Sequence, residues 1–332
     1  MKKFQNVNAS TLQEAATIAR QARDRGQVIA FSGGGTDLLQ QVKDGTEKPD
    51  VLINLRTVSG EDQVSESAEG ITIGGQISLT ELGDHALIAT RFPVLAQAAS
   101  AVGTPQIRNV GTLAGNVTQR PWCWYYRNGF NCYKAGGDQC YSVVGENQQH
   151  AIFGGGPSYI VHPSDVAPAL VALGARFNII GPDGQRSLTA DQFFQLPSQN
   201  AQYENSLARD ELLASVTIPA PGAAMVSSYH KVMDRQAWTH AVVSAAVALE
   251  VEDGLCSSAA IVLGGVAPVP WRAREAEALV VGRTVTAELA RQAGESTVSN
   301  ARPLAKNAYK VPMTSAVVER LIMSLTGIEE TA

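Results

Sequence analysis

Val28-Ile29-Ala30-Phe31, Ser32-Gly33-Gly34-Gly35-Thr36 and Asp37-Leu38-Leu39-Gln40-Gln41-Val42 follow one another without a break. The first four residues are a short apolar run, the mark of a buried strand, and the last six open a helix. Strand, glycine turn and helix together make a phosphate-binding recipe. Glycines let the backbone come close, while free N–H groups and the helix dipole stabilise an anion. The turn is neither G-x-G-x-x-G nor a Walker loop, whose lysine is missing, so alone it is equally well a tight turn. A second glycine-rich passage runs Gly103-Thr104-Pro105-Gln106-Ile107-Arg108-Asn109-Val110-Gly111-Thr112-Leu113-Ala114-Gly115-Asn116. Its small residues and amides suit a loop that approaches a ligand closely. Two such passages in one N-terminal domain point to a large diphosphate ligand. Asp37 and Asp165 lie beside these loops, either to accept a hydrogen bond from a ribose or ribityl hydroxyl or to cap the helices that follow.

Outward from this stretch, Thr11 to Glu14 reads as a capping box for a helix with Leu12, Ala15, Ile18, Ala19 and Ala22 on its apolar face. Val51–Asn54 and Gly70–Gly74 read as strands, and Leu79–Thr90 and Val94–Val102 as helices. Ser164 or Asp165 caps an apolar helix through Gly174. Arg176–Gly181, the turn Pro182-Asp183-Gly184 and the residues from Ser187 form a hairpin. Pro219-Ala220-Pro221-Gly222 is the best linker in the chain. It divides residues 1–220 from a smaller unit, 221–332. There, Val226–Met233, Thr239–Val251 and Ser257–Val266 read as antiparallel strands, followed by two or three helices that include Trp271–Val281.

The 332 residues carry a formal net charge of −5, with 45% hydrophobic and 17% charged residues. At roughly 150 residues per domain this is a two-domain chain of ordinary globular composition. It has no basic run for counterion-driven nucleic-acid binding, and no apolar stretch approaching the ~20 residues of a membrane span. No apolar core follows the two N-terminal lysines, so no export signal is read there and the expected compartment is the cytoplasm. The five histidines form no H-E-x-x-H set, there is no G-x-S-x-G, and no local nucleophile–base pair is present. Acid–base hydrolysis is not indicated; redox chemistry carried by a bound cofactor fits better.

Residues 122–141 break the pattern. They hold Trp122, Trp124, Tyr125, Tyr126, Phe130, Tyr133 and Tyr141, seven of the chain's 20 aromatics, with three of its four cysteines. Neither a helical nor a strand period fits, so the segment reads as an insertion ordered by something other than regular structure. Its aromatics are more than a free surface should expose, so they are expected to wrap a metal group or meet another subunit. The spacing Cys123-x8-Cys132-x7-Cys140 matches no common zinc pattern. Iron–sulfur clusters tolerate looser spacing but take four thiolates. The thiols thus bind metal, do redox chemistry or are ordinary buried groups.

Three pieces in order, Phe31–Leu39, Gln106–Asn116 and His162-Pro163-Ser164-Asp165-Val166-Ala167-Pro168-Ala169-Leu170, resemble the FAD-binding medium subunits of the molybdenum hydroxylases. That family includes xanthine dehydrogenase, carbon monoxide dehydrogenase and aldehyde oxidoreductases. The resemblance continues through Tyr229–Arg235 and Leu263–Arg272 and covers nearly the whole chain. It implies an α+β architecture: a two-subdomain FAD-binding fold of the xanthine dehydrogenase and vanillyl-alcohol oxidase type, then a C-terminal domain with a three-stranded antiparallel sheet and helices. It implies FAD held without a covalent bond by Ser32, Gly33, Gly34, Gly35, Thr36 and Asp37, by Gly103, Thr104, Ile107, Arg108, Gly111, Thr112, Gly115 and Asn116, and by Asp165 and Lys231. No residue of this chain is then catalytic toward substrate.

The insertion, at about 120–161, resembles that of the periplasmic aldehyde oxidoreductase and 4-hydroxybenzoyl-CoA reductase subunits, where four cysteines carry a [4Fe–4S] cluster. Cys123, Cys132 and Cys140 match the first three ligands, and Ser158 stands where the fourth is placed. The resemblance leaves a Ser-ligated cluster, a cluster with an open iron, or a lost cluster with the loop retained. It further implies a [2Fe–2S] small subunit and a molybdopterin-binding large subunit as partners, and by analogy a periplasmic alternative in which a signal-bearing partner exports the complex. Two other readings remain: a self-contained flavin oxidoreductase, and a cofactor-poor scaffold that only assembles partners.

Overall fold

A computed structural model of the chain describes residues 2–235 and 239–329. The N-terminal sheet consists of β1 (Gln5–Asn8), β2 (Ile29–Ser32) and β3 (Val51–Asn54), all parallel in the order β1-β3-β2. The helix Leu12–Asp24 joins β1 to β2 and buries Leu12, Ala15, Ala16, Ala19 and Ala22. Thr11 caps it by accepting from the Glu14 N–H, but the reciprocal half of the capping box is absent, because Glu14 turns back to Ser10.

A second sheet is antiparallel, with β4 (Val64–Ser67), β5 (Gly70–Gly74), β6 (Arg176–Gly181), β7 (Gly184–Leu188) and β8 (Leu212–Pro219) in the order β4-β5-β8-β6-β7. The hundred residues between β5 and β6 leave this sheet altogether. They form the helices beneath it, the second glycine passage and the insertion. The third sheet has β9 (Met225–Val232), β10 (Val243–Glu252) and β11 (Leu255–Gly264) as its antiparallel body. It is wider than the three strands expected, because β12 (Trp271–Arg272) and β13 (Arg283–Thr284) both pair with β11.

Two helix expectations are corrected. Leu79–Thr90 is two helices, Leu79–Asp84 and Ala86–Arg91, because His85 is extended at ψ 117° and restarts the chain. Trp271 and Arg272 belong to a strand, so the helix there is only Arg274–Val280. The helices Ala287–Ser296 and Lys310–Leu325 complete three C-terminal helices. The apolar core is continuous past the Pro219–Gly222 connection: Tyr229, Ala246 and Val262 of the third sheet pack with the helices Pro93–Ser100 and Val166–Ala172 and with Ile71 and Ile73 of β5. Among the described residues no helix is long and apolar enough to cross a membrane.

Candidate flavin cleft

The two glycine passages meet. A Cβ on Gly34 would lie 1.9 Å from the Val110 carbonyl oxygen, and one on Gly33 2.9 Å from Thr112 Oγ1. Gly35 takes a φ of +73°, the left-handed conformation glycine adopts without strain. The backbone N–H groups of Gly34, Gly35, Thr36 and Asp37 find no acceptor among the described residues. A run of unpaired N–H groups at a glycine turn is a nest for an anion.

The second passage is more regular than its composition indicates. Pro105–Arg108 and Leu113–Val117 are one-turn helices capped by Thr104 and Thr112. Leu79 N–H donates to the Gly111 carbonyl, and Leu113 N–H to that of Ile77, so the passage is stitched to the start of the preceding helix. Replacing Thr112 by Val should cost about 1 kcal/mol through loss of the cap on Gly115 N–H, seen as a lower melting temperature.

Between these passages opens a cleft of about 740 Å³, of cofactor size. Thr36, Asp37, Gly103, Ile107, Gly111, Thr112, Gly115, Asn116 and Asp165 line it. Ser32, Gly33, Gly34, Gly35, Thr104, Arg108 and Lys231 are not among its lining residues. Arg108 donates to the Val102 carbonyl at 2.8 Å. Neither aspartate caps its helix. Asp37 accepts from Arg127 Nη2 at 2.7 Å and from Arg120 N–H and Gln41 Nε2 at 2.9 Å each. Ser164, not Asp165, caps Val166–Ala172, its Oγ accepting from Ala167 N–H at 3.0 Å. Asp165 instead pairs with Lys231 Nζ and the Tyr229 hydroxyl, both at 2.7 Å, tying the start of the helix Val166–Ala172 to β9. Burial pushes its carboxyl above the usual range, against the pull of Lys231 and Tyr229.

The rest of the wall escaped the sequence reading. Trp122, Cys123, Trp124 and His150 come from the insertion, Thr239 and His240 from the C-terminal region. Trp122 joins the two, with its ring centroid 5.2 Å from that of His240 and 4.3 Å from the Arg127 guanidinium.

The insertion has a core of its own. Tyr125 meets Trp124 and Phe130 edge-on at 5.4 and 5.3 Å, and Phe130 meets Tyr141 at 5.0 Å. Of the seven aromatics in residues 122–141 only Trp122 and Trp124 are exposed, at 38% and 61%. Most of these aromatics therefore pack within the chain itself. That packing offsets ordering entropy without any metal. Buried charge fixes the loop to its surroundings: Glu204, 3% exposed, accepts from Arg120 at 2.6 Å and faces Lys134 Nζ at 2.8 Å.

None of the cysteines is in a disulfide. Cys132 and Cys140 lie close enough to bear on the charge of Cys123, whose thiol burial pushes up to about 11. Cys123 Sγ lies 3.3 Å from His150 Nε2, and Cys140 Sγ 3.1 Å from Ser142 Oγ. Among the described residues no three His, Cys, Asp or Glu converge on a point as ligands of one ion. The ligands of an iron–sulfur cubane bind different irons and do not need to converge. Ser158 is buried, next to Tyr159, whose carbonyl accepts from Ala151 N–H and so runs alongside the His150 segment.

A cofactor-sized cleft beside a glycine turn with unpaired N–H groups has the form of a nucleotide-cofactor carrier. Residues 2–221 match the FAD-binding domain in molybdopterin dehydrogenase, and residues 228–325 the CO dehydrogenase flavoprotein C-terminal domain. The chain is 33% identical over 316 residues to the aldehyde oxidoreductase FAD-binding subunit PaoB of Escherichia coli, covering 94% of each. It is 28% identical to the nicotinate dehydrogenase FAD-subunit of Eubacterium barkeri, covering 87% of this chain and 83% of that one. The fold is that of carbon monoxide dehydrogenase from Hydrogenophaga pseudoflava, at a TM-score of 0.77, 23% identity and 98% coverage of both chains. The chain therefore belongs to the FAD-binding subunits of the molybdenum-dependent dehydrogenases, with FAD as its cofactor.

Proposed function

We propose that this chain is the electron-transfer flavoprotein of a multi-subunit molybdenum hydroxylase that oxidises an aldehyde or an N-heterocycle. A molybdopterin-binding large subunit and a [2Fe–2S] small subunit are its partners, and an external acceptor takes the electrons. The observation that carries this reading is the cleft, lined by Thr36 and Asp37 of the glycine turn, by the second passage, and by Cys123 and His150. The names of the aldehyde oxidoreductase and nicotinate dehydrogenase subunits support the two substrate classes.

FAD supplies the ability to take and release electrons singly or in pairs. The chain's own residues bind and orient it. The 33–37 turn and the 103–116 passage receive the diphosphate, Thr112 and Asn116 offer polar contacts, and Trp122 covers the cleft beside His240. We further propose an iron–sulfur cluster on Cys123, Cys132 and Cys140, completed by Ser158 or by solvent. Three free thiols, one with a buried imidazole against it, are a donor set suited to it.

Co-expression with candidate large and small subunits should yield a three-subunit complex; a monomer that oxidises substrate alone would exclude the assignment. Anaerobically purified chain should hold about four irons with matching sulfide, and Ser158→Cys should slow iron loss. Full FAD with no iron would remove the cluster from the proposal and leave the flavoprotein reading standing.

A further inference from the structure

We propose that His150 is a positioning residue for the iron–sulfur group, its Nε2–H donating to Cys123 Sγ and drawing charge from the one thiolate that lines the flavin cleft. The inference rests on the cluster reading above. Nε2 lies 3.3 Å from the sulfur, within hydrogen-bond reach of a soft acceptor. The other ring nitrogen, Nδ1, is buried without a partner, and the whole residue is only 6% exposed. A neutral imidazole carries one N–H, and a metal-bound thiolate only accepts. The hydrogen therefore sits on Nε2, where it has an acceptor, and not on Nδ1, where it has none.

The ring cannot easily swing away. Its own backbone N–H donates to the Asn147 carbonyl at 3.0 Å, and its carbonyl accepts from Asn307 Nδ2 at 3.0 Å. Position gives the contact its consequence. Of the three cysteines only Cys123 lines the cleft, and His150 lines it too. The pair is thus the place where the metal group and the flavin site meet. Hydrogen bonds to ligand sulfurs stabilise the more negative, reduced state of a cluster and raise its potential. Ser142 stands in a comparable relation to Cys140, away from the cleft, and provides a control.

The test is an anaerobic redox titration of the FAD-loaded full chain, monitored by electron paramagnetic resonance, with iron counted in each sample. Wild type, His150→Ala, His150→Gln and Ser142→Ala are compared. His150→Ala should move the cluster midpoint to more negative potential at unchanged iron, and His150→Gln, which keeps an N–H donor, should move it less. Ser142→Ala should leave flavin reduction by the cluster faster than His150→Ala does. Iron lost from His150→Ala but kept in His150→Gln would also support the role. Equal midpoints in wild type and His150→Ala, or iron lost equally from both His150 variants, would overturn it. Iron-free wild type would remove the cluster reading and this inference together, and the iron count tells that case apart.

Discussion

Glu204→Gln should destabilise the protein by ~3–5 kcal/mol, the cost of removing one partner from a buried ion pair. The carboxylate is 3% exposed and serves two cations at once, Arg120 from the start of the insertion and Lys134 from its middle. Glutamine keeps the shape but leaves both cations without a counter-charge in a place water does not reach. Arg120 is further held between the rings of Tyr126 and Tyr203, at 5.2 and 5.1 Å, so it cannot move out to solvent. Burial alone would raise the Glu204 carboxyl, but Arg120 and Lys134 outweigh it and hold the group below its ordinary 4.5. A carboxyl depressed by folding stabilises the protein above its unfolded value, and that stability is lost as pH falls through the folded value. Denaturant unfolding should therefore show wild type weakening below about pH 4.5, and Glu204→Gln weaker at neutral pH with a flatter acid limb. Equal stability of the two at neutral pH would show that the network does not anchor the insertion.

Gly34→Val should strip the protein of flavin. The reason differs from a side chain entering the ligand's space, which is the simplest reading of a glycine loop. In the structure a Cβ at this position meets the Val110 carbonyl oxygen at 1.9 Å and its carbon at 2.5 Å, both backbone atoms that cannot rotate away. The two passages must part, and the nest made by residues 34–37 parts with them. Overpacking of this kind costs ~1–3 kcal/mol or more. Expressed at the cofactor site, that is a loss of affinity of roughly tenfold or more. The flavin-to-protein ratio after gel filtration measures it. A Gly34→Val protein that folds and keeps full FAD would show that the contact between the passages is dispensable.

Where local pattern dominates, the sequence was readable: the glycine turn at 33–35, the helix from Leu12, and the antiparallel body of the third sheet all lie where apolar periodicity and turn residues put them. Where long-range contact decides, it was not. The edge strands β1 and β4 are polar and exposed, with nothing in Gln5–Asn8 or Val64–Ser67 to distinguish them from loop. β8 did carry a signal, buried Val216 and Ile218 alternating with half-buried Ser215 and Thr217, and its alternation could have been found. At the site, both passages were legible from composition, whereas Cys123 was legible as a thiol of the insertion and not as part of the cleft wall. Asp37 and Asp165 looked like caps or hydroxyl acceptors because each precedes a helix. They cap neither helix, and the cations they pair with, Arg127 ninety residues on and Lys231 sixty-six on, cannot be inferred from neighbours in the chain. Trp122 and His240 likewise become a cleft wall only once two distant segments meet.

The wall formed by residues 146–150 has its support at the far end of the chain. Asn307 holds the His150 carbonyl across 157 positions, Lys306 N–H donates to Asn147 Oδ1, and Tyr309 donates to the Gln148 carbonyl. During synthesis, both glycine passages leave the ribosome long before those residues exist. The parallel pairing of β1, β2 and β3 needs only the first 54 residues and can form early. The wall that carries Cys123's neighbour cannot. The wall at residues 146–150 accordingly cannot be completed until residues 306–309 have been made. A truncation just before Leu304 would leave a chain able to begin the site and unable to close it.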